Sequence, residues 1–221
     1  MKRNYLLLLI YYISISTIAF SQTITSINLQ DAFKNGNIRV YNRELTLVNE
    51  ASHAGIRLSK DFGEGIAWIK GIDFSDGIIE FDVRGENIKQ HSFVGLAFHG
   101  LNDSTFDAIY LRPFQFKAFD ETLRKRSVQY ISLPDFTWQV LREKFPGKFE
   151  SAITPSPDPN AWIKMRVVIK GMLVSVYING NSNPCLVVEK QTSSKNGFIG
   201  FYVADTSGGD FANLTIIKTK D

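Results

Sequence analysis

Apolar and polar residues alternate along much of this chain. Ile79, Phe81 and Val83 interleave with Glu80, Asp82 and Arg84, and Ile163, Met165, Val167 and Ile169 interleave with Trp162, Lys164 and Arg166. A period of two puts the two sets on opposite faces of a β-strand. Comparable runs recur at short intervals: "IRVYN", "LTLVNE", "GIAWIKG", "DGIIEFDVRG", "SFVGLAFHG", "FDAIYLRPF", "SVQYISL", "AWIKMRVVIKG", "MLVSVYING", "PCLVVEK", "NGFIGFYVA" and "DFANLTIIK". Gly, Asn, Asp and Pro punctuate them as turn residues. About eleven or twelve strands without alternating long helices predict an antiparallel sandwich or barrel. One segment breaks the period. From Pro134 to Gly147, Asp135 is a candidate N-cap, Trp138, Leu141 and Phe145 follow at helical spacing, and Pro146-Gly147 ends the run. A short inserted helix is expected there, followed by a proline-rich loop, "ESAITPSPDPN".

The N-terminus has a different pattern. Lys2 and Arg3 precede an apolar run from Tyr5 to Ile18 and a small-residue site at Ala19-Phe20-Ser21. This is the anatomy of a secretory signal peptide, cut before Gln22. The run is short for a membrane span, which needs about 20 residues. The expected organisation is therefore a signal peptide over 1–21 and one domain over 22–221, secreted or periplasmic. Removing the leader lowers the formal charge from +3 to +1, so nothing calls for nucleic acid, or for a membrane after cleavage. The sole cysteine, Cys185, has no intrachain disulfide partner and reads as a small core residue, so stability must come from packing.

The stretch from Ser92 to Phe116 holds the candidate chemistry. Val94, Leu96, Phe98, Ile109 and Leu111 suit a core face. Gly95, Ala97, His99, Tyr110 and Arg112 are left for the opposite face. If the strand carrying Glu80, Asp82 and Arg84 is a neighbour, these three join the same trough. Donors, acceptors and an aromatic ring over a small-residue floor suit a polar ring such as a pyranose. The inserted excursion would supply a wall, with Gln129 and Tyr130 on the strand before it and Trp138, Arg142 and Glu143 on the helix. Arg142 and Glu143 are adjacent on that helix and point apart. The run Leu123 to Ser127, "LRKRS", reads as a solvated basic turn.

The C-terminal third carries a family pattern. "AWIKMRVVIKGMLVSVYINGN", followed by "NGFIGFYVADTSGGDFANLTI", resembles the concanavalin A-like jelly roll of lectins, laminarinase-type glucanases and laminin-G modules. More narrowly it resembles the domain family named for 3-keto-disaccharide hydrolase, over residues 27 to 218. The resemblance implies an all-β, concanavalin A-like antiparallel β-sandwich, a carbohydrate ligand and a possible structural calcium. The loop "ADTSGGDFAN" offers Asp205 and Asp210 for calcium, although it reads better as a Gly-rich hairpin with aspartate turns.

The chemistry stays open between catalysis and binding. No nucleophile elbow, phosphate loop, dinucleotide motif or His-Glu-x-x-His zinc motif occurs. Laminarinase-type enzymes carry Glu-x-Asp-x-Glu on one strand, whereas here Arg84 follows Glu80 and Asp82 in the last position. Hydrolysis or elimination of a 3-keto-glycoside needs a general base, for which His99 and Asp107 are candidates, and a cation, for which Arg112 is one. The alternatives are a non-catalytic lectin-like module and a laminin-G-like protein-interaction module.

Overall fold

A computed structural model describes residues 22–219, so the expected signal peptide lies outside the described residues. Two antiparallel sheets pack face to face. The first runs in the order β13 (Leu186–Glu189), β12 (Leu173–Ile178), β11 (Ile163–Lys170), β6 (Gly77–Arg84), β15 (Gly209–Thr219), β4 (His53–Leu58) and β3 (Leu45–Glu50). β1 (Gln22–Ile27) joins it along the second half of β15. The second sheet runs β10 (Glu150–Ser151), β9 (Val128–Leu133), β8 (Thr105–Leu111), β7 (Val94–Asn102), β14 (Phe198–Val203), β5 (Gly65–Ile69) and β2 (Ile38–Tyr41). Three short helices are added: α1 (Leu29–Lys34), α2 (Glu121–Arg124) and α3 (Trp138–Lys144).

The inward rows are those that the alternation predicts. Ile79, Phe81 and Val83 of β6 and Ile163, Met165 and Val167 of β11 are buried against Val94, Leu96 and Phe98 of β7 and Ile109 and Leu111 of β8. Phe81 bridges the sheets, its ring centroid 5.5 Å from that of Phe201 on β14. Each fully buried Leu, Ile, Val or Phe contributes about 1.5–3 kcal/mol of transfer free energy, so this interior supplies the stability that the missing disulfide does not.

The helix starts later than expected. Phe136 pairs with Ser132 through two backbone hydrogen bonds, which ties residues 134–136 to the end of β9. Asp135 therefore cannot cap, and Thr137 does so instead, its hydroxyl accepting from the Val140 amide. Leu141 is the buried anchor of α3, while Trp138 and Phe145 stay half exposed. The proline-rich tail is an irregular connection after the two-residue β10. β1, β4, β10, α1 and α2 were not among the predicted elements. β4, "HAGIRL", has Gly55 in mid-strand because a Cβ there would lie 2.0 Å from the Phe211 carbonyl oxygen.

Candidate functional site

The outer face of the second sheet is where the chain departs from a plain sandwich. Registers align Gln129, Tyr110, Gly95, Tyr202 and Ile66 in one row across β9, β8, β7, β14 and β5. Gly95 sits between the two tyrosines because a Cβ there would meet the Ile109 carbonyl oxygen at 2.0 Å. The tyrosine rings lean together at 5.7 Å. They belong to an aromatic layer continuing through Phe106 to Trp68 on one side and through Phe93 to Phe114 on the other. The expected bare floor of Gly95 and Ala97 is therefore roofed by rings, and both residues are buried. This second apolar layer is why β7, β8 and β9 are buried on both faces.

At one end the layer opens into a groove of about 1030 Å³. Its walls are loops. The segment before β7 brings Lys89, His91 and Phe93, the excursion after β8 brings Phe114 and Arg126, and α3 brings Trp138 and Arg142. Glu64 and Asp205 close the opposite side.

Arg112 lies at the base of one end and is buried. Its Nη1 donates to the Arg126 carbonyl oxygen (2.8 Å), and its Nη2 donates to the Tyr110 hydroxyl (2.9 Å) and Gln129 Oε1 (3.3 Å). The guanidinium also lies over the rings of Tyr110 (5.0 Å) and Phe93 (5.7 Å). Burial lowers its pKa, and none of these hydrogen bonds reaches a carboxylate. Beside it, Arg142 forks onto Glu150 (2.6 and 3.0 Å) and stacks on Trp138 at 4.7 Å. At the other end the Tyr202 hydroxyl donates to Glu64, whose carboxyl is pushed up by burial. Asp205 is exposed and accepts from the Gly63 amide (2.9 Å).

Of the residues singled out from sequence, Tyr110, Arg112, Trp138 and Arg142 meet at this groove, with Gln129 supporting Arg112 from beneath. The others lie elsewhere. Glu80, Asp82 and Arg84 are on β6, which belongs to the other sheet, and line that sheet's outer face. There Glu80 pairs with Arg166 (3.1 Å), Asp82 accepts from Asn213 (2.6 Å), and Arg84 bridges Glu50 and Asp210. Arg84 also covers Trp162, which stacks on His53 at 4.4 Å. Glu143 is exposed on the far side of α3, as its adjacency to Arg142 requires.

His99, Asp107 and Tyr130 form a separate cluster between the sheets. The bulge in β7 after Phe98, with His99 at φ +49°, turns the imidazole inward instead of outward. Its Nε2 meets the Ser75 carbonyl oxygen (2.8 Å) and its Nδ1 accepts from Lys190 (2.9 Å); burial lowers its pKa. Asp107 shares the inner parity of Ile109. It accepts from the Tyr130 hydroxyl at 2.6 Å, and its other oxygen, Oδ2, has no partner. Burial pushes its carboxyl up to about 6.

Of the groove's remaining members, Asp205 was noticed only as a calcium candidate, and the others were not found from sequence. Glu64 and Tyr202 sit far apart in the chain, and no local motif joins them. Arg126 carried a signal in the basic run. The solvated reading holds for Lys125, exposed and paired with Glu121, whereas Arg126 turns into the groove. The suggested calcium pair does not fit: Asp210 is held by Arg57 and Arg84 on the first sheet, while Asp205 faces the groove. Among the described residues no cluster of three or more His, Cys, Asp or Glu is arranged for a metal ion.

Solved structures share this architecture at low identity. A carbohydrate-binding module, CBM66 from Bacillus subtilis, superposes with a TM-score of 0.59 at 13% identity, over 81% of this chain and 95% of the module. A protein of unknown function with a galectin-like fold, also from Bacillus subtilis, gives 0.57 at 17% identity, over 88% and 94%. The exoplasmic/lumenal domain of VIP36, in a Ca2+/Man3GlcNAc-bound form, gives 0.53 at 10% identity, over 84% of each chain. No protein-family model and no curated protein matches the sequence. The fold is thus the concanavalin A-like jelly-roll sandwich of lectins and related modules. The narrower likeness to the 3-keto-disaccharide hydrolase family rests on sequence pattern alone.

Proposed function

We propose that this chain is an exported carbohydrate-binding domain, residues 22–221 after removal of a leader, which holds a glycan in the groove on its second sheet. The observation that carries this reading is the groove itself: Trp138 and Phe93 offer ring surface beside Arg126, Arg142, Glu64 and Asp205, over a base that holds the buried Tyr110 and Arg112. A sugar ring needs this mixture of a flat apolar surface and convergent polar groups. The carbohydrate-bound and carbohydrate-binding neighbours favour the same reading by analogy of fold.

Binding is favoured over catalysis because the candidate base and cation are separated. His99 and Asp107 lie on the inner side of the sheet and Arg112 on the outer, so one substrate cannot touch both sets. A thermal-shift screen against a glycan panel tests the proposal. A glycan at about 100 times its dissociation constant adds about 2.7 kcal/mol, a rise of roughly 5–10 °C. Trp138→Ala should weaken the selected glycan about tenfold, as loss of a central ring does. Arg84→Ala, on the opposite sheet, should leave the affinity unchanged. Silence across the panel, or equal losses from the two variants, sinks the reading.

A further inference from the structure

The groove is electrically lopsided. Four cationic side chains line it, Lys89, Arg112, Arg126 and Arg142, against two carboxylates, Glu64 and Asp205. The three arginines and the two carboxylates also sit at opposite ends, because Arg112, Arg126 and Arg142 come from the β8–β9 side and Glu64 and Asp205 from the β5–β14 side. The arginine end is under-neutralised. Arg142 and Arg126 share the single carboxylate of Glu150, at 2.6 and 3.7 Å. All three hydrogen bonds of Arg112 go to uncharged acceptors: a carbonyl, a hydroxyl and an amide oxygen.

A cation taken out of water without a counter-ion carries a desolvation penalty that an incoming anion relieves. The site is also pre-shaped for one. Phe93 and Tyr110 hold the buried Arg112 guanidinium as a fixed charge at the base, its Nη2 already donating twice. The more accessible Arg126 and Arg142 share only Glu150, and a guanidinium meets carboxylate or sulfate oxygens with two parallel donors where a hydroxyl uses one. The Glu64 and Asp205 end, with Arg43 close to both carboxyl groups, offers acceptors for hydroxyl groups.

Resting on the glycan reading above, we infer that the ligand is an acidic glycan, its anionic substituent seated at Arg126 and Arg142 over the buried charge of Arg112 and a neutral, hydroxyl-bearing ring toward Glu64. A ring carboxylate and a sulfate ester share this chemistry, so the test uses a matched pair for each. Calorimetric titration of the purified protein would compare an oligogalacturonate with its methyl ester, and a sulfated oligosaccharide with its desulfated form. The acidic member of at least one pair should bind about tenfold tighter, and the pair that does so names the substituent. That ratio should shrink as salt rises from about 50 mM to about 500 mM. Arg126→Gln should cut it by about threefold or more, and it serves as the test where Arg112→Met does not fold. Neutral forms binding as tightly as acidic ones in both pairs overturns the inference and leaves the glycan reading standing. Failure of every acidic and neutral glycan to bind removes both.

Discussion

Asp107 shows what burial does to a single carboxyl. It is enclosed between the sheets with Tyr130, His99 and Lys190 around it, and its carboxyl is pushed up to about 6 from the ordinary 3.8. The folded chain therefore binds its proton more tightly than the unfolded chain does. Between about pH 4 and pH 6 the folded state carries more protons, so stability falls as pH rises through that window. Above it, the full penalty of up to about 3 kcal/mol remains. Asp107→Asn carries no charge at any pH. Its melting temperature relative to the parent should thus improve between pH 4.5 and pH 8, by about 4 °C or more. A difference that stays flat with pH would show that Asp107 is not buried as a strained carboxylate. The same cluster marks a limit of reading residues from sequence. Parity alone put His99 beside Tyr110 on the groove; one bulge, at a non-glycine residue with positive φ, reversed it. Nothing in "AFHGLN" announces that turn.

Among the elements, strand periodicity was the most dependable signal. It separated Ile79, Phe81 and Val83 from Glu80, Asp82 and Arg84, and both sets do face opposite ways. It could not say which strands are neighbours. β6 pairs with β11 and β15, far off in the chain, whereas β7 pairs with β8 and β14. Such partners are chosen by non-local packing, and the run from β6 to β7 crosses from one sheet to the other. Gly95 illustrates the same point: it looked like floor space for a ligand and is instead a requirement of close strand approach. Gly95→Ala should force β7 from β8 at the Ile109 carbonyl and lower stability by about 3 kcal/mol or more. Urea denaturation reads this directly, and an unmoved midpoint would refute the close approach.

For the whole molecule, the sequence showed an all-β sandwich and four of the residues now found at the groove, because Tyr110, Arg112, Trp138 and Arg142 lie on adjacent elements or their connection. The opposite wall was illegible as a wall, since Glu64, Tyr202 and Asp205, the last noticed only as a calcium candidate, lie on or beside β5 and β14, which only the closed sheet brings near. The finished molecule distributes its three tryptophans over three surroundings. Trp68 is buried within the aromatic layer, its Nε1 donating to Asp103 (2.7 Å). Trp162 is clamped between His53 and Arg84 on the other sheet. Trp138 alone stands at the groove, 39% exposed. The protein thereby carries its own optical label. Iodide should quench the long-wavelength emission of Trp138 preferentially, a glycan filling the groove should shield it, and the emission of the other two should stay unchanged. Occupancy can then be followed by light, without a dye or a tagged sugar.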